Sequence, residues 1–243
     1  MSGRVEHIGD AVLHLGDCRD VLPSLAVVDA IVTDPPFGIG FSRYENDADK
    51  ASEYPDLIKF LVSEAARLCP DGPCFVWQSS KTCASWHEWF PEGYRIFAAC
   101  KSFVQLRPVE VQWAWDPVIF WNAKGGKHED SIRDWHVATT PNFGAGRESI
   151  DHPCPRPLDQ VRYIVDGLRA HKILDPFAGS GTTGVAAVLA GKQFVGIEME
   201  PRYFDVMCRR IEAATRQADL FIKTERPKPE TQMEIFKRTG ALI

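Results

Sequence analysis

Asp34 is followed at once by Pro35, Pro36 and Phe37, and those residue types at that spacing suit a definite chemistry. Two successive prolines cannot continue a central strand or enter a helix, and Pro36 biases Pro35 away from helical angles. The product is a stiff turn that holds a carboxylate, a backbone carbonyl and an aromatic ring in fixed relation. A planar, amino-bearing ring can stack on Phe37 while donating to Asp34 and to the Pro35 carbonyl. A plain strand-ending turn with Phe37 in the core uses the same residues.

A second constellation lies in the other half of the chain. Asp175, Pro176, Phe177, Ala178, Gly179, Ser180, Gly181, Thr182 and Thr183 follow a short apolar strand and precede a helical pattern, and Glu198 ends the strand after that helix. Glycines let the backbone approach a ligand closely. The helix N-terminus offers unpaired amides, and an acidic residue at the next strand tip accepts from a ribose diol. This reads as a site for an adenosine-type cofactor. Gly179, Gly181 and Gly184 also satisfy the dinucleotide spacing, so a nicotinamide-dependent oxidoreductase is one alternative. A non-catalytic nucleic-acid-binding subunit is another.

Taken together, Asp-Pro-Pro-Phe in the first half and Asp-Pro-Phe-Ala-Gly-Ser-Gly-Thr-Thr in the second resemble the S-adenosylmethionine-dependent amino-methyltransferases that act on exocyclic amino groups of DNA bases. Catalytic motif before cofactor motif is the order of the permuted beta group, and the resemblance runs from about Leu13 to Ile211. It implies a site-specific DNA methyltransferase, of the kind found in restriction-modification, that uses S-adenosyl-L-methionine and a flipped-out base. Aspartate at position 34 goes mostly with adenine N6 in this family and serine with cytosine N4, so adenine is the expected target and cytosine the alternative. Asp17, in a Gly-Asp at a strand end, matches the family residue that approaches the cofactor adenine, although an aspartate there also suits a helix N-cap. Arg156 stands where the family's His-Pro-x-x-Lys-Pro-Leu segment carries a lysine over the methionine end of the cofactor. The charge is kept and the donor geometry changed.

These motifs require elements that bring them to one place. Strands are expected at about 11–16, 29–33, 73–78, 95–100, 109–121, 172–175 and 193–198, with helices in most gaps, one of them from Ser80 to Phe90. That alternation predicts an α/β, doubly wound, mainly parallel seven-stranded sheet of the Rossmann-like methyltransferase type. The resemblance adds an antiparallel edge strand. Residues 1–216 form the methyltransferase domain, and 217–243 a charged tail. The run from Val109 to Trp121 carries Trp113, Trp115 and Trp121, which fit either base stacking or core. The segment 122–151 is a short target-recognition insertion, in which Lys124, Lys127, Arg133 and Arg147 are expected to meet DNA.

Composition bounds the rest. The chain has 243 residues, 44% hydrophobic and 25% charged, enough for one α/β domain with a sizeable core. No apolar run approaches a membrane span, and no leader pattern opens the chain. Seven cysteines without a Cys-x-x-Cys pair signal neither a zinc site nor a disulfide framework. They point to the reduced cytosol of a bacterium or phage-infected cell. A net charge of −5 means that any DNA-binding surface is a local basic patch. The small recognition segment suggests short specificity or a homodimer that shares the task. Gln217–Phe221 (Gln-Ala-Asp-Leu-Phe) resembles the peptides that dock on the bacterial sliding clamp, with packing of Leu220 and Phe221 onto the domain as the simpler alternative.

Overall fold

The computed structural model describes residues 3–38, 52–102, 108–123, 131–138 and 156–223. The chain opens with β1 (Val5–Ile8) and β2 (Ala11–Leu15), then a single helical turn, α1 (Cys18–Val21), and β3 (Ala30–Thr33). There follow α2 (Tyr54–Leu68), β4 (Cys74–Trp77), a 3-10 segment Ser80–Ser85, α3 (Trp86–Trp89), β5 (Arg95–Cys100), β6 (Trp115–Trp121) and β7 (Trp135–Val137). The last part runs α4 (Leu158–Gly167), β8 (Lys172–Asp175), α5 (Thr182–Leu189), β9 (Gln193–Glu198) and α6 (Pro201–Lys223).

The strands form one sheet in the order β1-β2-β9-β8-β3-β4-β6-β5-β7. From β2 to β4 every neighbour is parallel. β6 runs antiparallel to both β4 and β5, and β1 runs antiparallel to β2. All seven expected strands are present, but the sheet has nine among the described residues. The antiparallel strand near the turn after β3 is the interior β6, and the antiparallel edge strand is β1. Strand structure covers only Trp115–Trp121 of the expected 109–121 run. Pro117 is tolerated inside β6 because its carbonyl faces the end of β4, where Gln78 N–H donates to it at 2.9 Å. The missing amide therefore falls where that ladder finishes.

Winding reverses between β3 and β8: β3 continues through α2 to β4 on one side, and β8 continues through α5 to β9 on the other. Both strands are buried on both faces, as a parallel sheet covered by helices demands. Asp29 ties their starts together, its carboxylate accepting from the backbone N–H of His171 at 2.9 Å and of Lys172 at 2.8 Å. One face carries a core with Val161, Ile164, Ala186, Phe194, Phe204 and Met207, beneath α4, α5 and α6. The opposite face carries a second core with Ile58, Leu61, Leu68, Trp86 and Trp89, beneath α2 and α3.

Local chemistry accounts for the departures. α2 buries Tyr54, Ile58, Leu61, Ala65 and Leu68, a stripe at i, i+4, i+7, i+11 and i+14, and leaves Leu57 and Phe60 half-buried. Ser79, one residue ahead of the expected cap, accepts from Lys81 N–H, and the turns behind it tighten to 3-10 before α3 forms. α6 does not stop at Arg216 but continues through Gln217–Phe221 to Lys223.

Candidate active site

The carboxyl ends of β2, β9, β8, β3 and β4 open into a cavity of about 730 Å³. Asp34 and Pro36 line it from the turn after β3, and Asp175 to Ser180, Thr182 and Thr183 line it from the loop between β8 and α5. Asp17, Glu198 and Arg156 also stand on its wall, whereas Pro35, Phe37 and Gly181 of the expected set do not. The bond that joins the two motifs is direct. Thr33, the last residue of β3, donates its hydroxyl to Asp175 Oδ1 at the tip of β8, at 2.6 Å and out of contact with solvent. A carboxylate that also accepts from Phe177 N–H at 3.0 Å locks the first turn of the glycine loop to the strand ahead of Asp34. Burial pushes the Asp175 carboxyl up to about 6, against the pull of its hydrogen bonds to Thr33 and Thr183.

The loop itself is shaped by two requirements. Gly181, the N-cap of α5, has φ +80°, a left-handed conformation that side chains rarely adopt, and a Cβ there would lie 2.7 Å from Met207. Gly184 lets α5 close onto Phe194 and Ile211, with an added Cβ only 2.7 Å and 2.6 Å from their side chains. Glu198 then braces the loop from β9. One of its oxygens accepts from Gly179 N–H and the other from Glu200 N–H, both at 2.8 Å. The carboxylate keeps acceptor capacity for a ligand hydroxyl. Burial pushes this carboxyl up to about 7.

Asp17 is both a helix cap and a residue of the cavity wall. It caps α1, accepting from Arg19 N–H at 2.8 Å, and it lines the cavity beside the tip of β9. A side-chain bond from Arg19 holds its carboxyl below the ordinary range.

Arg156 forms a closer arrangement than sequence allowed. Its Nε lies 2.6 Å from Asp34 Oδ2 and its Nη2 2.9 Å from Asp34 Oδ1, while Nη1 lies 2.7 Å from Asp116 Oδ2. The guanidinium sits over the Phe37 ring, 5.4 Å from its centroid. Phe37 is half-buried, with one side on the core beneath α4. Pro35 is buried in the turn. The head group of Arg156 is thus bonded at the Asp34 turn.

Of the residues expected to meet DNA, Lys124, Lys127 and Arg147 lie outside the described residues. Arg133 precedes β7, with its backbone N–H on the Tyr163 hydroxyl at 2.9 Å and its guanidinium 5.7 Å from the Trp135 centroid, away from the cavity wall. Trp121 is core, whereas Trp113 and Trp115 are half exposed and outside the cavity wall. Among the described residues no cluster of His, Cys, Asp or Glu could hold a metal ion, and no helix is long and apolar enough to cross a membrane.

Three contributors escaped the sequence. Thr33 carries no motif signal beyond preceding Asp34. Asp116, on β6, is held below the ordinary carboxylate range: burial pushes it up, and Arg156 and Lys101 outweigh that. Arg210, on α6, bonds the Ser180 carbonyl, the Ser180 hydroxyl at 3.0 Å and the Thr182 hydroxyl at 3.2 Å, clamping the glycine loop from behind. Nothing in local spacing connects any of them to the site.

Comparison with known proteins agrees with this geometry. Residues 107–209 match a family model described as DNA methylase. YubD of Escherichia coli (strain K12) is 24% identical over 227 residues, 83% of this chain and 90% of that protein. The DNA adenine methyltransferase YhdJ of the same organism is 36% identical over 70 residues, 28% of this chain and 24% of that protein. Among solved structures, the M1.HpyAVI–SAM complex superposes with a TM-score of 0.63 at 22% identity, covering 82% of this chain and 98% of the other. The glycine loop falls inside the family match and the Asp34 turn outside it, yet the Thr33–Asp175 bond makes them one site. Over residues 107–209 the chain is thus similar to the DNA methylase family, and its fold is that of the M1.HpyAVI–SAM complex.

Proposed function

We propose that this protein transfers a methyl group from S-adenosylmethionine to the exocyclic amino nitrogen of a base in DNA, adenine N6 before cytosine N4. The observation that carries the reading is the 2.6 Å bond from Thr33 to Asp175, which sets the acidic turn and the glycine loop on one cavity. Bound cofactor supplies an electrophilic sulfonium methyl. The chain's residues do the rest. Glu198 accepts from the ribose diol, Asp17 from the adenine amino group, and the loop from Asp175 to Thr183 encloses the remainder.

The target nitrogen is a poor nucleophile because its lone pair is delocalised into the ring. Asp34 and the Pro35 carbonyl accept its two hydrogens, draw it toward tetrahedral geometry and localise the pair. The new N–C bond forms in line as the S–C bond breaks, with the bonding pair leaving on sulfur and the proton leaving through Asp34 or water. Positioning of this kind is worth up to ~7–11 kcal/mol in intramolecular analogues. A base inside a duplex cannot enter the cavity, so it is flipped out, at a cost of a few kcal/mol. Stacking on Phe37 returns about 1–3 kcal/mol of that.

The test is tritium transfer from methyl-labelled S-adenosylmethionine to DNA from a methylation-free host. Asp34→Ala is expected to lose transfer while binding the cofactor within severalfold of wild type; an active variant removes Asp34 from the mechanism. Cofactor binding also separates this reading from a nicotinamide oxidoreductase. For partners beyond DNA, we hold a homodimer and sliding-clamp docking through Gln217–Phe221 as proposals. The helical backbone of that pentapeptide must unwind to bind as an extended strand, and equal clamp recovery by wild type and Leu220→Ala/Phe221→Ala would end the clamp idea.

A further inference from the structure

A guanidinium is planar, bears N–H donors along one edge and stacks on aromatic faces. Those are the properties the Asp34 turn requires of its target. Arg156 offers the same features: two donors on the two oxygens of Asp34 at 2.6 Å and 2.9 Å, and its central carbon over the Phe37 ring, 5.4 Å from the centroid. We propose that Arg156 is an internal stand-in for the target base, seated where the base must go, and that Asp116 is the positioning residue that keeps hold of it when the base displaces it. The proposal rests on the reading of the cavity as a base-methylation site.

The third contact makes the exchange reversible. Removing the partner of a largely buried cation leaves an uncompensated charge, which is strongly destabilising. The Arg156 side chain is only 17% exposed, yet loss of Asp34 does not strand it, because Nη1 remains on Asp116 Oδ2 at 2.7 Å. Asp116 is itself balanced, since Lys101 Nζ takes its other oxygen at 2.8 Å. Asp34, Arg156, Asp116 and Lys101 thus form an alternating chain of charges in which one link, the catalytic one, opens without leaving a bare ion. Closed, that link occupies both oxygens of Asp34. A base enters only when its stacking and hydrogen bonds exceed those of the guanidinium.

The experiment uses the full chain, S-adenosylmethionine and bulk DNA from a methylation-free host, with low-millimolar guanidinium chloride against sodium chloride of equal ionic strength. In Arg156→Ala the vacated seat accepts free guanidinium, so the salt is expected to raise KM for DNA severalfold, competitively, with cofactor affinity unchanged and wild type indifferent. Asp116→Asn removes the holding charge, weakens the grip on Arg156 away from Asp34, and is expected to raise KM for DNA with kcat less affected. Guanidinium that restores activity to an inert Arg156→Ala, or that acts alike on variant and wild type, overturns the proposal.

If Arg156→Ala does not fold, the arginine Nε–H resonances of the wild type decide. The signal lost in Arg156→Lys should shift on addition of DNA and not of cofactor alone; a signal unmoved by DNA overturns the proposal. Absence of methyl transfer to DNA by the wild type is a different result, which removes the underlying function rather than the stand-in.

Discussion

Burial pushes the Glu198 carboxyl up to about 7 because its backbone amide donors compensate only part of its lost hydration. Its two roles then have opposite slopes with pH. A carboxyl whose folded pKa is raised contributes stability below its unfolded pKa, near 4.5, that is lost as pH rises through about 7. The ligand-free wild type should therefore lose stability relative to Glu198→Gln over that window, on the order of 1–3 kcal/mol, read from thermal melts. A ribose diol donates to the charged form, so cofactor Kd should weaken as pH falls below about 7, and the glutamine variant should flatten that dependence. Asp175 follows the same rule in the window up to about 6. Asp34, Asp175 and Glu198 were legible from residue type and place at strand tips. The Arg156–Asp34 pair was not, because the partners stand 122 positions apart and no local pattern predicts which carboxylate a cation will find.

The elements explain how the loop is held in shape. α5 starts at a left-handed glycine and presses against β9 and α6, while Arg210 reaches from α6 to hold Ser180 and Thr182. Replacing Arg210 by methionine keeps the side-chain stem and removes the clamp. The expected outcome, measured by calorimetry and steady-state kinetics, is cofactor affinity weakened severalfold with kcat at saturating cofactor near wild type and partial recovery in Arg210→Lys. Unchanged affinity would reduce Arg210 to a structural bond. Elements with strong internal pattern were readable: β3, β4, β8 and β9 are apolar runs, and α2 shows helical spacing. Those that exist only through their neighbours were not. β1 is half-buried and edge-paired, and β7 is three residues whose ladder depends on β5. The 3-10 turn ahead of α3 depends on Ser79 rather than on periodicity.

At the scale of the molecule, sheet order determines whether the motifs can cooperate. They lie about 140 positions apart, on strands that become neighbours only where the winding reverses, so their meeting was an expectation from fold rules and the Thr33–Asp175 bond is its realisation. The net charge of −5 bears on the proposed partner. If phosphate binding is confined to Lys124, Lys127, Arg133 and Arg147, neutralising them should weaken DNA binding and reduce the slope of log affinity on log salt by roughly one for each cation neutralised. A slope unchanged by all four substitutions would place the DNA surface elsewhere. The central claim is that one cavity hands a methyl group to an exocyclic amine. It is tested most directly by incubating the protein with methyl-labelled S-adenosylmethionine and unmodified DNA, digesting the DNA and identifying the labelled nucleoside by mass spectrometry. The account predicts label on an amino nitrogen, N6-methyladenine first; unlabelled DNA, or label on a ring carbon, would contradict it.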